Sequence, residues 1–314
     1  MTAILLNSLL PIFAVMALGY FAGFVRDIDN QHVSELNALV MDFALPASLF
    51  VATATTPWAM LVAQWPLLLT LAASMLALYA LSYWMQRRLF ALGSSEASVQ
   101  ALTISFPNYA AAGLPLIAAV FDPSHTIYVA LAVAAGSILL SPLTLAILEA
   151  NKASAGGSKG SGLVFRAVGR SLLNPVVLSP IVGIAVAFLR IPLADAIREA
   201  FTLIGQATGG VALFLTGLIL SSQPLLLDRN VISGALLKNV AQPLFVAGLI
   251  MFLPMHQDTS RAAILLTALP SGFFGVLFGL RYGVQSHEAG STLIVSTILS
   301  AVTLAAALIL TAAA

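Results

Sequence analysis

The sequence predicts an all-α polytopic membrane protein, with ten transmembrane helices arranged as two inverted five-helix repeats. Three observations predict it. Only 25 of the 314 residues are charged (Lys+Arg 13, Asp+Glu 12), or 8% of the chain. A soluble domain carries roughly 25%. Hydrophobic residues make up 60% and the mean hydropathy is +1.01. The apolar residues fall in continuous Leu/Ala-rich runs of the length a helix needs to cross a bilayer, about 20 residues; barrel strands would alternate and be about half as long. This composition excludes a soluble enzyme, a disordered protein and a nucleic-acid binder. The net charge of +1 offers no basic field for phosphates. With no cysteine, disulfide, thiolate and zinc-thiolate chemistry are excluded, and the four histidines show no metal spacing.

The ten runs are Ala3–Val25, Ser34–Thr55, Trp65–Met85, Ala97–Phe121, Thr126–Leu148, Leu172–Leu189, Ala200–Ser222, Val231–Leu253, Arg261–Tyr282 and Ala289–Thr311. No Lys or Arg precedes the first, so it is a span, not a cleaved leader. One side of the membrane then holds Arg26, Arg87, Arg88, Lys152, Lys159, Arg166, Arg170, Arg229 and Arg281; the other holds Arg190, Arg198 and Arg261. By the positive-inside rule the first side is cytoplasmic and both termini lie outside.

The stretch Glu149–Gly162 (EANKASAGGSKGSG) reads as a flexible linker. It divides the chain into a first repeat at 1–148, a cytoplasmic linker at 149–170 and a second repeat at 171–314. Five is odd, so equivalent halves must have opposite orientation. At an offset of 164, Leu9, Pro11, Gly19, Phe24 and Arg26 fall on Leu173, Pro175, Gly183, Phe188 and Arg190. Leu49–Phe50 falls on Leu213–Phe214, and Asp42 on Gln206; at 163, Pro107 falls on Pro270. Inverted repeats are a signature of secondary transporters.

Spans 4 and 9 carry mid-span prolines. Pro107 leaves the carbonyl of Thr103 without an N–H, Pro115 that of Ala111, and Pro270 that of Leu266. Broken backbone at this depth needs a protein interior or a wet cavity. A polar residue follows each break, Asn108 or Ser271, and the half-helix N-termini beyond them suit an anionic group. In span 2, Asp42 is the one carboxylate well inside a span, and Pro46 frees its carbonyl; it is expected to face the bundle interior and to sense the driving ion. Lys238 in span 8 is expected to snorkel to the cytoplasmic face, with balancing an anion or Asp42 as the alternative. The GxxxG spacings at Gly19–Gly23, Gly205–Gly209 and Gly275–Gly279–Gly283 point to close helix packing.

At these breaks the sequence resembles a known family. FPNYAAAGLPL (106–116) is similar to the P-N-x4-G-x-P-L segment of the auxin efflux carrier family, and ALPSGFFGVLFGLRYGV (268–284) to its ninth span. NPVVLSPIVG (174–183) and GGVALFLTGLILSSQP (209–224) resemble its sixth and seventh. MDFALPASLF (41–50) and RYGVQS (281–286) look most like the family's bacterial malonate carriers. The resemblance implies a fold shared with sodium/proton antiporters and bile-acid transporters. Spans 1, 2, 6 and 7 would form a scaffold, with spans 3–5 and 8–10 moving around crossed spans 4 and 9. It implies a secondary carrier for a small organic anion, with Asn108 at the carboxylate-binding asparagine and Ser271 in place of a larger amide. The expected substrate-binding residues are Pro107, Asn108, Tyr109, Pro270, Ser271 and Gly272; those expected to couple an ion, H+ or Na+, are Asp42, Gln206 and Lys238. No cofactor, metal or nucleic acid is expected. The lipid bilayer of a bacterial inner membrane is the expected setting, and a homodimer is left open. The alternatives are a carrier of another carboxylate, auxin-like or amino-acid, and a non-transporting membrane sensor.

Overall fold

The computed structural model describes residues 2–30, 33–121, 125, 127–155, 173–222 and 225–313. These are helical almost throughout, and the one β pairing among them is an isolated antiparallel bridge between Pro107 and Ser271. In chain order the helices of seven residues or more are α1 (Thr2–Phe24), α2 (Ser34–Ala54), α3 (Trp65–Arg88), α4 (Ser94–Ser105), α5 (Leu114–Val120) and α6 (Ile127–Ala155), with a shorter helix, Trp58–Ala63, between α2 and α3. Then come α7 (Pro175–Phe188), α8 (Asp195–Ser221), α9 (Arg229–Ile250), α10 (Gln257–Thr267), α11 (Phe274–Tyr282) and α12 (His287–Ala313). Six of them, α2, α3, α6, α8, α9 and α12, are long and apolar enough to cross a membrane. The chain is thus an all-α membrane protein.

Proline explains the local departures from α geometry. Three π segments, Leu39–Ala44, Tyr109–Gly113 and Leu237–Ala241, each end two residues before a proline: Pro46, Pro115 and Pro243. Proline cannot bond the carbonyl four residues back, and widening the preceding turn accommodates the missing bond without ending the helix. At Pro107 and Pro270 the helix ends instead. Residues 106–108 and 268–273 run between half-helices α4 and α5, and α10 and α11.

Two boundaries differ from the sequence expectation. Helix α6 continues through Ala155, so the start of the stretch read as linker is helical. Glu149 explains part of this, because its Oε1 accepts a bond from the Tyr282 hydroxyl at 2.8 Å and holds that turn against α11. The rest of the stretch, Ser158 included, lies outside the described residues. Helix α8 begins at Asp195 and is interrupted at Gln206.

Helix α1 packs on α8, and α7 packs on α2. The seams are glycine-made. A Cβ on Gly19 would lie 2.0 Å from the Phe214 carbonyl oxygen, and one on Gly183 would lie 2.8 Å from that of Phe50. The offset of 164 carries Gly19 to Gly183 and Phe50 to Phe214, so one contact is the exchanged image of the other. Helices α3, α4 and α6 pack together, as do α9, α10 and α12, and α4 meets α11 across the centre. The Gly275 spacing likewise makes a close approach, to Val99 and Thr103 of α4. Gly283 instead ends α11 in the left-handed region, at φ 69°.

Gly217 tests the α1–α8 seam: its Cβ would fall 2.0 Å from the Met16 carbonyl oxygen. Gly217→Val should lower stability by about 1–3 kcal/mol through overpacking. Gly248→Val, with open space around it, should change little. Thermal melts of the two purified variants check this.

Candidate functional site at the helix crossing

The interruptions of α4–α5 and α10–α11 meet at the centre of the molecule. The Asn108 N–H donates to the Pro270 carbonyl at 2.9 Å, and the Gly272 N–H donates to the Phe106 carbonyl at 2.8 Å. Burial leaves no choice about pairing. Phe106, Asn108, Tyr109, Ser271 and Phe273 are all at most 3% exposed, and an unpaired backbone group in such a place costs about 1–3 kcal/mol. Glycine is required at 272 because a Cβ there would lie 2.4 Å from the Phe106 carbonyl oxygen. The Phe106 ring stacks on Phe274, with centroids 4.4 Å apart, and closes one flank.

Side chains of α9 hold the half-helix ends. The Lys238 Nζ donates to the Thr267 carbonyl at 2.6 Å, at the C-terminus of α10. The Gln242 Nε2 donates to the Ser105 carbonyl at 3.1 Å, at the C-terminus of α4. Both acceptors stand at negative helix ends with no intrahelical partner. The Ser271 N–H donates to the Ser296 Oγ at 2.8 Å, and that hydroxyl donates to the Asn239 Oδ1 at 2.6 Å. The hydroxyls of Tyr109 and Ser271 and the Gln242 Oε1 are buried there with no protein partner.

These findings sort the expected residues. Pro107, Asn108, Tyr109, Pro270, Ser271 and Gly272 do come together in one crossing. The N–H groups of Asn108, Ser271 and Gly272, however, bond to protein and are not free for an anion. Lys238 does not snorkel. It is fully buried, because the carbonyl end of α10 offers its ammonium a closer partner than the membrane face. Nor does it balance Asp42. Asp42 pairs with Arg281 at the end of α11, a residue that sequence analysis had counted only as a loop charge. The Asp42 and Arg281 side chains are 30% and 33% exposed. Asp42 therefore sits at the rim of the bundle, not in its interior, since the π segment Leu39–Ala44 turns it toward α11. So exposed a pair contributes about 0–1 kcal/mol. Gln206 is exposed at the interruption of α8.

A cavity of about 550 Å³ opens on the face carrying Asn30, Ser222 and Gly283–His287. Its inner wall is Val99, Ile219 and Val276, where α4 and α11 pack on the way to the crossing. A second cavity of about 400 Å³ contains Ser34, Asn37, Asp42 and Arg281, and shares Val33 and Leu280 with the first. No cluster of metal-ligating side chains occurs among the described residues.

An all-helical membrane protein whose centre is a buried, polar crossing of two interrupted helices is what this geometry defines. The chain belongs to the membrane transport protein family, whose model matches residues 4–308. It is 28% identical to the "Uncharacterized transporter YfdV" of Escherichia coli (strain K12) over 303 residues, 95% of each chain. It is 28% identical to the "Putative malonate transporter" of Rhizobium meliloti (strain 1021) over 312 residues, 94% of this chain and 92% of the relative. It is 27% identical to the "Auxin efflux carrier component 6" of Arabidopsis thaliana over 146 residues, 44% of this chain and 26% of the relative. The family resemblance carried by the broken-helix motifs is borne out.

Gly272→Ala should break both backbone bonds of the crossing. Melting of the purified variant in detergent should fall well below that of Gly248→Ala; equal melting would show that the crossing tolerates a side chain there.

Proposed function

We propose that this protein is a secondary active transporter of a small organic anion, malonate or a related dicarboxylate, working by alternating access around the crossing of α4–α5 with α10–α11. The observation that carries the proposal is the crossing itself: polar groups of Tyr109 and Ser271 buried without protein partners, beside the Asn108 side chain. Malonate is favoured by the Rhizobium meliloti relative, which aligns along nearly its whole length. The mutually exchanged contacts Gly19–Phe214 and Gly183–Phe50 support ten spans in two inverted repeats. The scaffold is then α1, α2, α7 and α8, and the moving part is the remainder.

An anion at the crossing meets the first turn of α11, where the N–H groups of Phe274, Gly275 and Val276 have no intrahelical acceptor. The Asn108 side-chain amide and the Ser271 hydroxyl are hydrogen-bond donors at the same place. Lys238 holds α10 in place from behind through its bond to the Thr267 carbonyl. Ion sensing falls to Asp42: a proton or Na+ there competes with Arg281 and alters how α2 meets α11. We place the protein in a bacterial inner membrane, with the 550 Å³ cavity on the cytoplasmic side and both termini outside.

Binding of radiolabelled malonate to purified protein tests the site. Asn108→Ala should weaken it about 10- to 150-fold, the worth of a hydrogen bond to a charged group. Asn108→Asp should be worse through like-charge repulsion, and Ser271→Ala milder because N–H groups of α11 remain. Undiminished binding by Asn108→Ala would move the anion elsewhere or exclude malonate. In proteoliposomes, Asp42→Asn should remove the pH or Na+ dependence of uptake; unchanged dependence would make the Asp42–Arg281 pair purely structural. For orientation, Ser158→Cys in this cysteine-free chain should resist an impermeant thiol reagent added to intact cells, while Thr2→Cys and Ala313→Cys should react.

A further inference from the structure

We propose that Arg281 receives a carboxylate of the incoming anion, and that Asp42 is the resident carboxylate it must displace. This rests on the organic-anion reading and adds a second station to it, beside the wide cavity and at the end of α11 away from the crossing.

Four observations lead there. Among the described residues, Arg281 is the one Lys or Arg in the walls of either of the two adjoining cavities. The cavities share Val33 and Leu280, so the two adjoin. About 400 and 550 Å³ are in the range of small-molecule sites. Most directly, the Arg281 Nη1 already donates to the Asp42 Oδ1: the site is holding a carboxylate, one the chain itself supplies. Both partners are about a third exposed, so the pair is not sealed inside the bundle.

The exchange follows from the chemistry of the groups. A guanidinium presents five N–H donors in a plane that matches a carboxylate. While Asp42 occupies it, the pair is neutral and the cavity has little pull on an anion. A dicarboxylate that takes Asp42's place gains the charge-assisted bonds and releases α2 from α11. The Asn37 Nδ2 bond to the Leu277 carbonyl, 3.2 Å, is then a polar tie that remains between these two helices. Because α11 leads directly into the crossing, occupancy of Arg281 is felt there.

The test is malonate uptake by proteoliposomes, read as the half-saturation concentration, with thermal melting of each variant as a fold control. Arg281→Gln should raise the half-saturation about two- to fivefold, and Arg281→Lys, which keeps the charge without the fork, should fall between it and the parent. Asp42→Asn should lower it about two- to fivefold, because a competitor worth no more than an exposed ion pair has been removed. In the double variant Asp42→Asn/Arg281→Gln the gain should vanish, leaving the value of Arg281→Gln alone. Shifts of both single variants in the same direction, or no shift in Arg281→Gln and Arg281→Lys, would overturn the inference and leave the carrier reading standing. Absence of malonate uptake by the parent overturns that reading, and this inference with it.

Discussion

Everything at the centre of this molecule depends on the two backbone hydrogen bonds between residues 106–108 and 270–272. A chain inside a bilayer has no water to satisfy peptide groups, so a helix that breaks there must find protein partners. Pro107 and Pro270 make the breaks unavoidable, and each break supplies the acceptor that the other's N–H needs. The Asn108 N–H goes to Pro270 and the Gly272 N–H to Phe106. Neither interruption satisfies its backbone without the other, which ties the two halves of the sequence together at one point.

The same constraint explains why α9 carries a π segment and polar residues in an otherwise apolar chain. Ending α4 at Ser105 and α10 at Thr267 leaves carbonyl ends pointing into the core. Gln242 and Lys238 reach them from opposite ends of one π segment, and Asn239 holds the Ser296 hydroxyl that accepts the Ser271 N–H. Pro243 creates the bulge that faces all three toward the crossing. One helix thus braces both half-helix ends, so a displacement of α9 is transmitted to both. This is a physical route by which a moving domain could carry the crossing as a unit. Arg281 and Asp42 work at the other end of α11, where exposure makes their bond cheap to exchange.

Much of this was legible in the sequence. The mid-span prolines located the breaks, and the fixed offset between halves brought Gly19 and Gly183 into equivalent seams. Hydropathy gives a residue's depth along a helix but not the direction in which it points. That is why Lys238 was expected to reach for the membrane face when a buried carbonyl lay nearer. It is also why Gln206, the repeat mate of Asp42, turned out to be exposed. Arg281 was missed because a cation at a span end looks like any loop charge until the partner across the chain is known. Use of the Asn108, Ser271 and Gly272 N–H groups within the protein could not be read at all, since each bond joins residues far apart in sequence. The length of α6 escaped because Gly/Ser/Lys composition concealed the tie from Glu149 to Tyr282.

The claim that the crossing is the anion site is tested most directly by determining the structure with malonate bound. The account predicts a carboxylate within hydrogen-bonding distance of the Asn108 side-chain amide and the Ser271 hydroxyl, against the first turn of α11. Malonate found only in the wide cavity, with the crossing unchanged and its hydroxyls still unpartnered, would contradict it.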